Sequence, residues 1–289
     1  MDPTMARLKD FFWQESDLRL FAMNGSRVNE KIPADKFQDY DVVFFAENID
    51  KYLHDPAFLA RFGEILIMSE PETDGLYPPD FTAGTGYIYL VQYTSGIRID
   101  FQFRTLAQLS DYLKADTLTK VIGDKDHRIH KEIVPHDTQY WLAPPTAKLL
   151  CSSANEFAWQ MCNTLKAVLR REWLLAEAAL DLTRNELLRK IAWTVGIDYS
   201  FRRSYGKQNT QIMNYLDPSD FQMLMKTYRT DSSEHMLDSL ERMSWLEKKQ
   251  LTALVHFLAL DPTPFQQLER VPFRYLLSKN EPELAKRFR

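Results

Sequence analysis

The alternation of apolar and polar positions changes its period once along the chain. In the first half, short runs rich in aromatic and β-branched residues recur between polar segments, the mark of strands. They are "LRLFAM" (18 to 23), "DVVFFA" (41 to 46), "EILIMSE" (64 to 70), "YIYLVQY" (87 to 93) and "IRIDFQF" (97 to 103), with a further candidate at "TKVIGD". The Ser95-Gly96 turn between two of them is short enough to predict an antiparallel hairpin. Helical spacing is read at residues 4 to 15, in "NIDKYLHDPAFLARFG" up to Gly63, and in "LAQLSDYL". At "LAPPTAKLL" Pro144 and Pro145 interrupt the pattern, and strand-like runs are largely absent thereafter. Residues 146 to 170, 172 to 196, 218 to 228 and 232 to 260 each have helical periodicity, and the final "VPFRYLLSKNEPELAKRFR" either packs as helix or tails off. The expected architecture is an α/β (α+β) domain over residues 1 to 143, a mixed sheet with flanking helices, followed by an all-α helical bundle over 144 to 289.

Composition narrows the class. A hydrophobic content of 45% beside 26% charged residues is that of a chain that buries a core, and excludes a disordered protein. The formal charge of −4 speaks against a nucleic-acid binder and mildly suits a cationic partner. Cys151 and Cys162 cannot build a disulfide framework, and are expected to be buried thiols in a reducing compartment. With neither a signal-like start nor a membrane-length apolar span, the chain is expected to work in the cytoplasm away from membranes. No oligomeric state follows from the sequence, and a monomer is one option.

Candidate chemistry gathers where strands end. Side chains on a strand alternate faces, so Asp39 and Asp41 point one way and Tyr40 the other. The same rule puts Arg98, Asp100 and Gln102 on one face of "GIRIDFQF" and Ile97, Ile99, Phe101 and Phe103 on the core face. A carboxylate embedded in so apolar a strand needs a partner, either a salt bridge or a divalent cation shared with Asp39 and Asp41. Three carboxylates from two strands make a hard-oxygen site suited to Mg²⁺, which binds a few carboxylates together with phosphates and water. The Gly25-Ser26 turn after the preceding strand supplies the complement, since small residues let backbone N–H groups approach a phosphate. Gly-Ser, then Asp-x-Asp on the next strand, then a strand-embedded Asp after a hairpin is the pattern of nucleotidyltransferases with a β-polymerase-like core, the fold expected of residues 1 to 143.

The stretches "NGSRVNEKIPADKFQDYDVVFF", "IGDKDHRI", "IVPHDTQYW" and "NELLRKIAWTVGI" resemble the aminoglycoside 6-adenylyltransferases, which modify streptomycin, from about residue 18 to about residue 230. The resemblance implies that Gly25, Ser26 and Arg27 hold the triphosphate of ATP, the co-substrate, and that Asp39, Asp41 and Asp100 ligate Mg²⁺. It aligns "KAVLRRE" with a basic segment of the family, making Lys166 a phosphate contact and leaving Glu172 without an assigned role. The family also has an acidic residue in the next helix that deprotonates the acceptor hydroxyl. Here "REWLLAEAALDLTRNELL" is one residue shorter than that pattern, so Glu177 or Asp181, four apart on one helical face, takes the position, with Glu177 preferred.

The implied activity is transfer of AMP from Mg·ATP to an aminoglycoside hydroxyl, streptomycin first, with release of pyrophosphate and resistance to the antibiotic. The site is expected between the two domains. Alternatives are another acceptor (a lincosamide, a metabolite or a protein side chain) and a nucleotide-binding interaction protein without turnover. Of the remaining features, the basic cluster Arg202, Arg203 and Lys207 reads as an exposed loop and Trp193 as core.

Overall fold

The computed structural model describes residues 2–53, 55–206 and 210–289. It divides into two compact units, Met1–Gln139 and Tyr140–Arg289.

The first unit is built on a mixed six-stranded sheet whose strands are β1 (Leu18–Asn24), β2 (Tyr40–Ala46), β3 (Ile65–Ser69), β4 (Gly86–Tyr93), β5 (Arg98–Thr105) and β6 (Thr119–Asp124). They lie in the order β3-β4-β5-β2-β1-β6. Only β2 and β5 pair in parallel, and β4 and β5 form the expected hairpin. One face of the sheet, with Phe21, Val42, Phe44, Tyr89, Phe101 and Phe103 fully or almost fully buried, packs on helix α1 (Pro3–Gln14) through Leu8, Phe11 and Phe12. The other face carries Leu20, Ala22, Val43 and Phe45 against Tyr112 of helix α2 (Leu109–Ala115). Strand alternation puts Asp41 and Asp100 at one end of this second face, in register with each other across the parallel pair.

One helix expected from the sequence is absent among the described residues. Those between 48 and 63 form two separate 3₁₀ segments, Asp50–Tyr52 and Pro56–Phe62. Pro56 lacks an N–H and pushes Asp55 into extended backbone (φ −125°, ψ 90°), so the α-helical ladder cannot run through. The short segments still deliver Tyr52, Leu59 and Phe62 to the core.

The second unit is helical: α3 (Ala147–Leu169), α4 (Trp173–Asp198), α5 (Pro218–Lys226), α6 (Ser233–Phe257), α7 (Thr263–Glu269), α8 (Val271–Ser278) and α9 (Pro282–Ala285). Side chains before the first turns cap the starts of three of them: Thr146 accepts from the Leu149 N–H, Asp217 from Ser219, and Ser232 from His235. Leu165, Leu180, Leu187, Ile191, Leu240 and Met243 from α3, α4 and α6 form its centre. Trp193 is core, as expected, beside Leu150, Leu254 and Phe265. The C-terminal segment packs rather than tailing off, with Leu276, Ala285 and Phe288 buried. The expectation of two buried thiols holds only for Cys162, half-buried with its thiol pushed up to about 11 by burial; Cys151 is exposed, because α3 turns Leu150 and Ala154 inward and Cys151 away from them. No helix among the described residues is long and apolar enough to cross a membrane.

Candidate functional site

β1 ends at Asn24, and Gly25 turns the chain with φ 79° into a single 3₁₀ turn, Ser26–Val28. Two facts make glycine necessary there. The positive φ is a conformation side chains rarely tolerate, and a Cβ on Gly25 would stand 2.2 Å from Asp41 Oδ2. The backbone of the turn therefore lies directly against the carboxylate of the neighbouring strand. Arg27 locks this arrangement from the far side. Its Nε donates to the carbonyls of Gln38 (3.2 Å) and Asp39 (3.0 Å), its Nη2 donates to Gln38 (2.8 Å), and its guanidinium stacks 3.6 Å over the Tyr40 ring. The segment leading into β2, with Asp39 in it, is thus held by the same turn that carries Gly25 and Ser26.

Asp39, Asp41 and Asp100 are brought together. Asp41 and Asp100 are register partners on β2 and β5, and Asp39 lies two residues before Asp41. Burial, reinforced by the charges of Asp100 and Asp39, pushes the Asp41 carboxyl up to about 6. Asp39 is raised as well, by burial and by Asp100, with Arg98 pulling the other way. Arg98 answers the sequence's question about the strand-embedded carboxylate. Its Nε and Nη2 donate to the two oxygens of Asp100, each at 2.8 Å, and its Nη1 stands 3.5 Å from Asp39 Oδ2.

Further polar residues frame the site that strand spacing alone did not single out. Asn24 pairs with Asp41 on one side and Thr119 on the other, donates to Thr119 Oγ1 at 2.8 Å, and accepts from the Tyr112 hydroxyl. Asp116, next in the chain after α2, adds to the negative field on Asp41. The signal available for Asn24 was its parity with Leu20 and Ala22, which marks the Asp41 face. Asp116 sits in a connection that has no period to read.

The residues singled out in the second half of the chain lie in the helical unit. Lys166 is exposed on α3. Glu172 precedes α4 and pairs with Arg170 at 2.6 Å. The two candidate bases differ in their surroundings: Asp181 is exposed and engaged by Arg184, whereas Glu177 is half-buried and its Oε2 is shielded from solvent without a hydrogen-bond partner. Arg203 of the basic loop stacks on Tyr199 and donates to the Tyr215 hydroxyl at 3.2 Å; Lys207 lies outside the described residues.

Chemically, the turn sets a stretch of backbone next to a cluster of hard oxygen donors. The donor set fits Mg²⁺: all its oxygens belong to carboxylates, Asp41 has an excess of negative neighbours, and Gly25 keeps the adjacent space open. As the side chains stand, no group of three or more His, Cys, Asp or Glu among the described residues is arranged to hold a metal ion.

Known proteins match this chain over most of its length. Residues 3–256 match the family model described as streptomycin adenylyltransferase. The aminoglycoside 6-adenylyltransferase of Staphylococcus aureus is 39% identical over 223 residues, 76% of this chain and 78% of that protein. The protein of the same name from Campylobacter jejuni is 36% identical over 234 residues, 81% and 80% of the two chains. That from Bacillus subtilis is 32% identical over 252 residues, 86% and 88%. A crystal structure of an aminoglycoside 6-adenyltransferase from Bacillus subtilis superposes with a TM-score of 0.46 at 26% identity, covering 94% of this chain and 97% of that one. The chain is a nucleotidyltransferase enzyme and belongs to the streptomycin adenylyltransferase family.

Proposed function

We propose that this chain transfers AMP from Mg-bound ATP to a hydroxyl of an aminoglycoside, with streptomycin as the acceptor, and that it works in the cytoplasm, where the transfer gives resistance to the drug. The observation that carries the proposal is the seating of the Gly25 backbone against Asp41, on a strand whose parallel neighbour brings Asp100 alongside. The names of the three relatives support the nucleotide and the acceptor class, and the description of the matched family supports streptomycin.

In this reading Asp39, Asp41 and Asp100 hold the metal, which when bound neutralises phosphate charge and polarises the reacting phosphoryl group. Gly25 and Ser26 offer backbone N–H groups and a hydroxyl to the triphosphate, and Lys166 adds a cationic contact. Arg27 serves chiefly to position Asp39, because Nε and Nη2 are engaged by backbone carbonyls and Nη1 stands 3.8 Å from Asp2 Oδ2. The acceptor oxygen bonds to the α-phosphorus, the bond from that phosphorus to the bridging oxygen breaks, and pyrophosphate leaves with the electron pair. The hydroxyl proton goes to Glu177, favoured over Asp181 because Asp181 is already held by Arg184 while Glu177 keeps an unengaged oxygen.

The test is pyrophosphate release from ATP with Mg²⁺, in the presence and absence of streptomycin, together with the mass of the recovered drug. Release that requires streptomycin, and a gain of one AMP on the drug, are expected. Release with a lincosamide or another hydroxylated compound but not with streptomycin would move the acceptor assignment. No release with any acceptor would remove the catalytic reading.

A further inference from the structure

Arg98 and Asp100 are two residues apart on β5, so strand alternation sets their side chains on one face. The pairing is fork to fork: Nε to Oδ1 and Nη2 to Oδ2, both at 2.8 Å, with the third nitrogen 3.5 Å from Asp39 Oδ2. One guanidinium therefore occupies both oxygens of Asp100 and leans on a second carboxylate. Asp41, the third, has no hydrogen bond or ion pair among the described residues. This is the charge arrangement a cation would make, with an arginine in its place. It also accounts for the lack of a ready three-ligand metal set, because the Asp100 oxygens are turned toward Arg98.

We infer that Arg98 is an internal counter-ion of this carboxylate set, occupying the cation position until it gives up Asp100 to an incoming divalent ion. The inference rests on the metal-binding reading proposed above and concerns what competes with the metal. Two features suit Arg98 to the exchange. Its side chain is 41% exposed while that of Asp100 is 19% exposed, so the arginine can swing to water and leave the carboxylate in place. A guanidinium is also a planar fork that matches phosphate as well as carboxylate. Released from Asp100, it is available to the triphosphate that arrives with the cation, so that neither partner leaves a charge unbalanced. Before that exchange, Arg98 offsets part of the repulsion among three clustered carboxylates.

The experiment measures metal binding directly, on the full chain without nucleotide. Mn²⁺ from MnCl₂ is titrated and followed by electron paramagnetic resonance, with calorimetry for MgCl₂, on wild type, Arg98→Gln, Arg98→Lys, Asp41→Asn and Asp100→Asn. Arg98→Gln is expected to bind Mn²⁺ roughly tenfold more tightly, the scale of one partly screened charge removed a few ångströms from the ion. Arg98→Lys keeps the charge without the fork, and is expected to bind more tightly than wild type but less tightly than Arg98→Gln. Metal-free Arg98→Gln should melt below wild type and gain more melting temperature than wild type on addition of MnCl₂. If Asp41→Asn and Asp100→Asn abolish binding while both Arg98 variants bind like wild type, the counter-ion role falls and the metal site stands. If Arg98→Lys matches wild type and only Arg98→Gln tightens, the effect is charge screening without displacement, which also overturns the inference. Mn²⁺ binding that ignores Asp41→Asn and Asp100→Asn would remove the metal reading and this inference together.

Discussion

Gly25 and Asp41 are coupled by contact, and each predicts something different. A methyl at position 25 would stand 2.2 Å from Asp41 Oδ2 on a backbone at φ 79°. Gly25→Ala should therefore cost about 1–2 kcal/mol of stability and, by displacing either the turn or the carboxylate, lower kcat/KM by more than its effect on folding. Denaturant titration and steady-state kinetics on one preparation separate the two, and an unchanged kcat/KM would refute the close approach. Asp41 is stabilising when protonated. Its carboxyl titrates at about 6 in the folded chain against an ordinary 3.8, so over that window the folded state holds a proton the unfolded state has released. Stability from this group is thus present at low pH and falls as pH rises toward 6, by up to ~3 kcal/mol. Asp41→Asn should abolish transfer, raise the melting temperature in metal-free buffer at pH 7.5, and flatten the dependence of stability on pH between 4 and 6. A variant that is less stable than wild type at pH 7.5 would contradict the crowding of charge around Asp41. At Glu177, replacement by Gln should reduce kcat at least about a hundredfold, the lower end of the range for a general base, whereas Asp181→Asn should change it far less. The reverse ranking would exchange their roles.

Among the elements, the pairing of α4 with α6 depends on buried charge. Lys190 on α4 and Glu247 on α6 meet at 3.1 Å with side chains 0% and 4% exposed. Lys190 Nζ also donates to the carbonyls of Ser153 (3.2 Å) and Glu186 (3.1 Å), which ties α3 into the same contact. Burial pushes Glu247 up to about 7, with Lys190 opposing the shift. Lys190→Met should cost about 3–5 kcal/mol, because it strands a buried carboxylate. Lys190→Met combined with Glu247→Leu should recover most of the loss, since an apolar pair fills the same space. A double-mutant cycle measured by urea unfolding decides it, and additivity of the two losses would show that the pair is not coupled.

At the scale of the molecule, each unit closes its own cores. Among the described residues, the sheet cores draw on residues up to Ile122 and Ile129, and the helical cores on residues from Leu142 onward. A chain comprising residues 140–289 should therefore fold alone, with a helical circular dichroism spectrum and one cooperative thermal transition. A broad, non-cooperative melt would show that its cores need the sheet unit. Neither unit by itself should transfer AMP, because the proposed metal ligands lie in one and the proposed base in the other.

Periodicity in the sequence determined most of the elements and the two-part architecture, because which residues an isolated strand or helix must bury is a local question. The strand rule even set Asp100 on the face of β5 opposite Ile99 and Phe101, and Asp41 on the face of β2 opposite Tyr40, without knowledge of their pairing. It failed at residues 48 to 63, where Pro56 outweighed an apolar pattern of helical spacing, and at Cys151, where the helix face pointed outward. Tertiary structure decided what lies across from what. That β2 and β5 are parallel neighbours in register, that Gly25 touches Asp41, and that Arg98 spends its fork on Asp100 are facts of distance between segments remote in the chain. Electrostatic interaction and hydrogen bonding act over those distances and not over sequence separation, so the roles of Asn24, Tyr112 and Asp116 around the carboxylates emerged only once the strands were assembled.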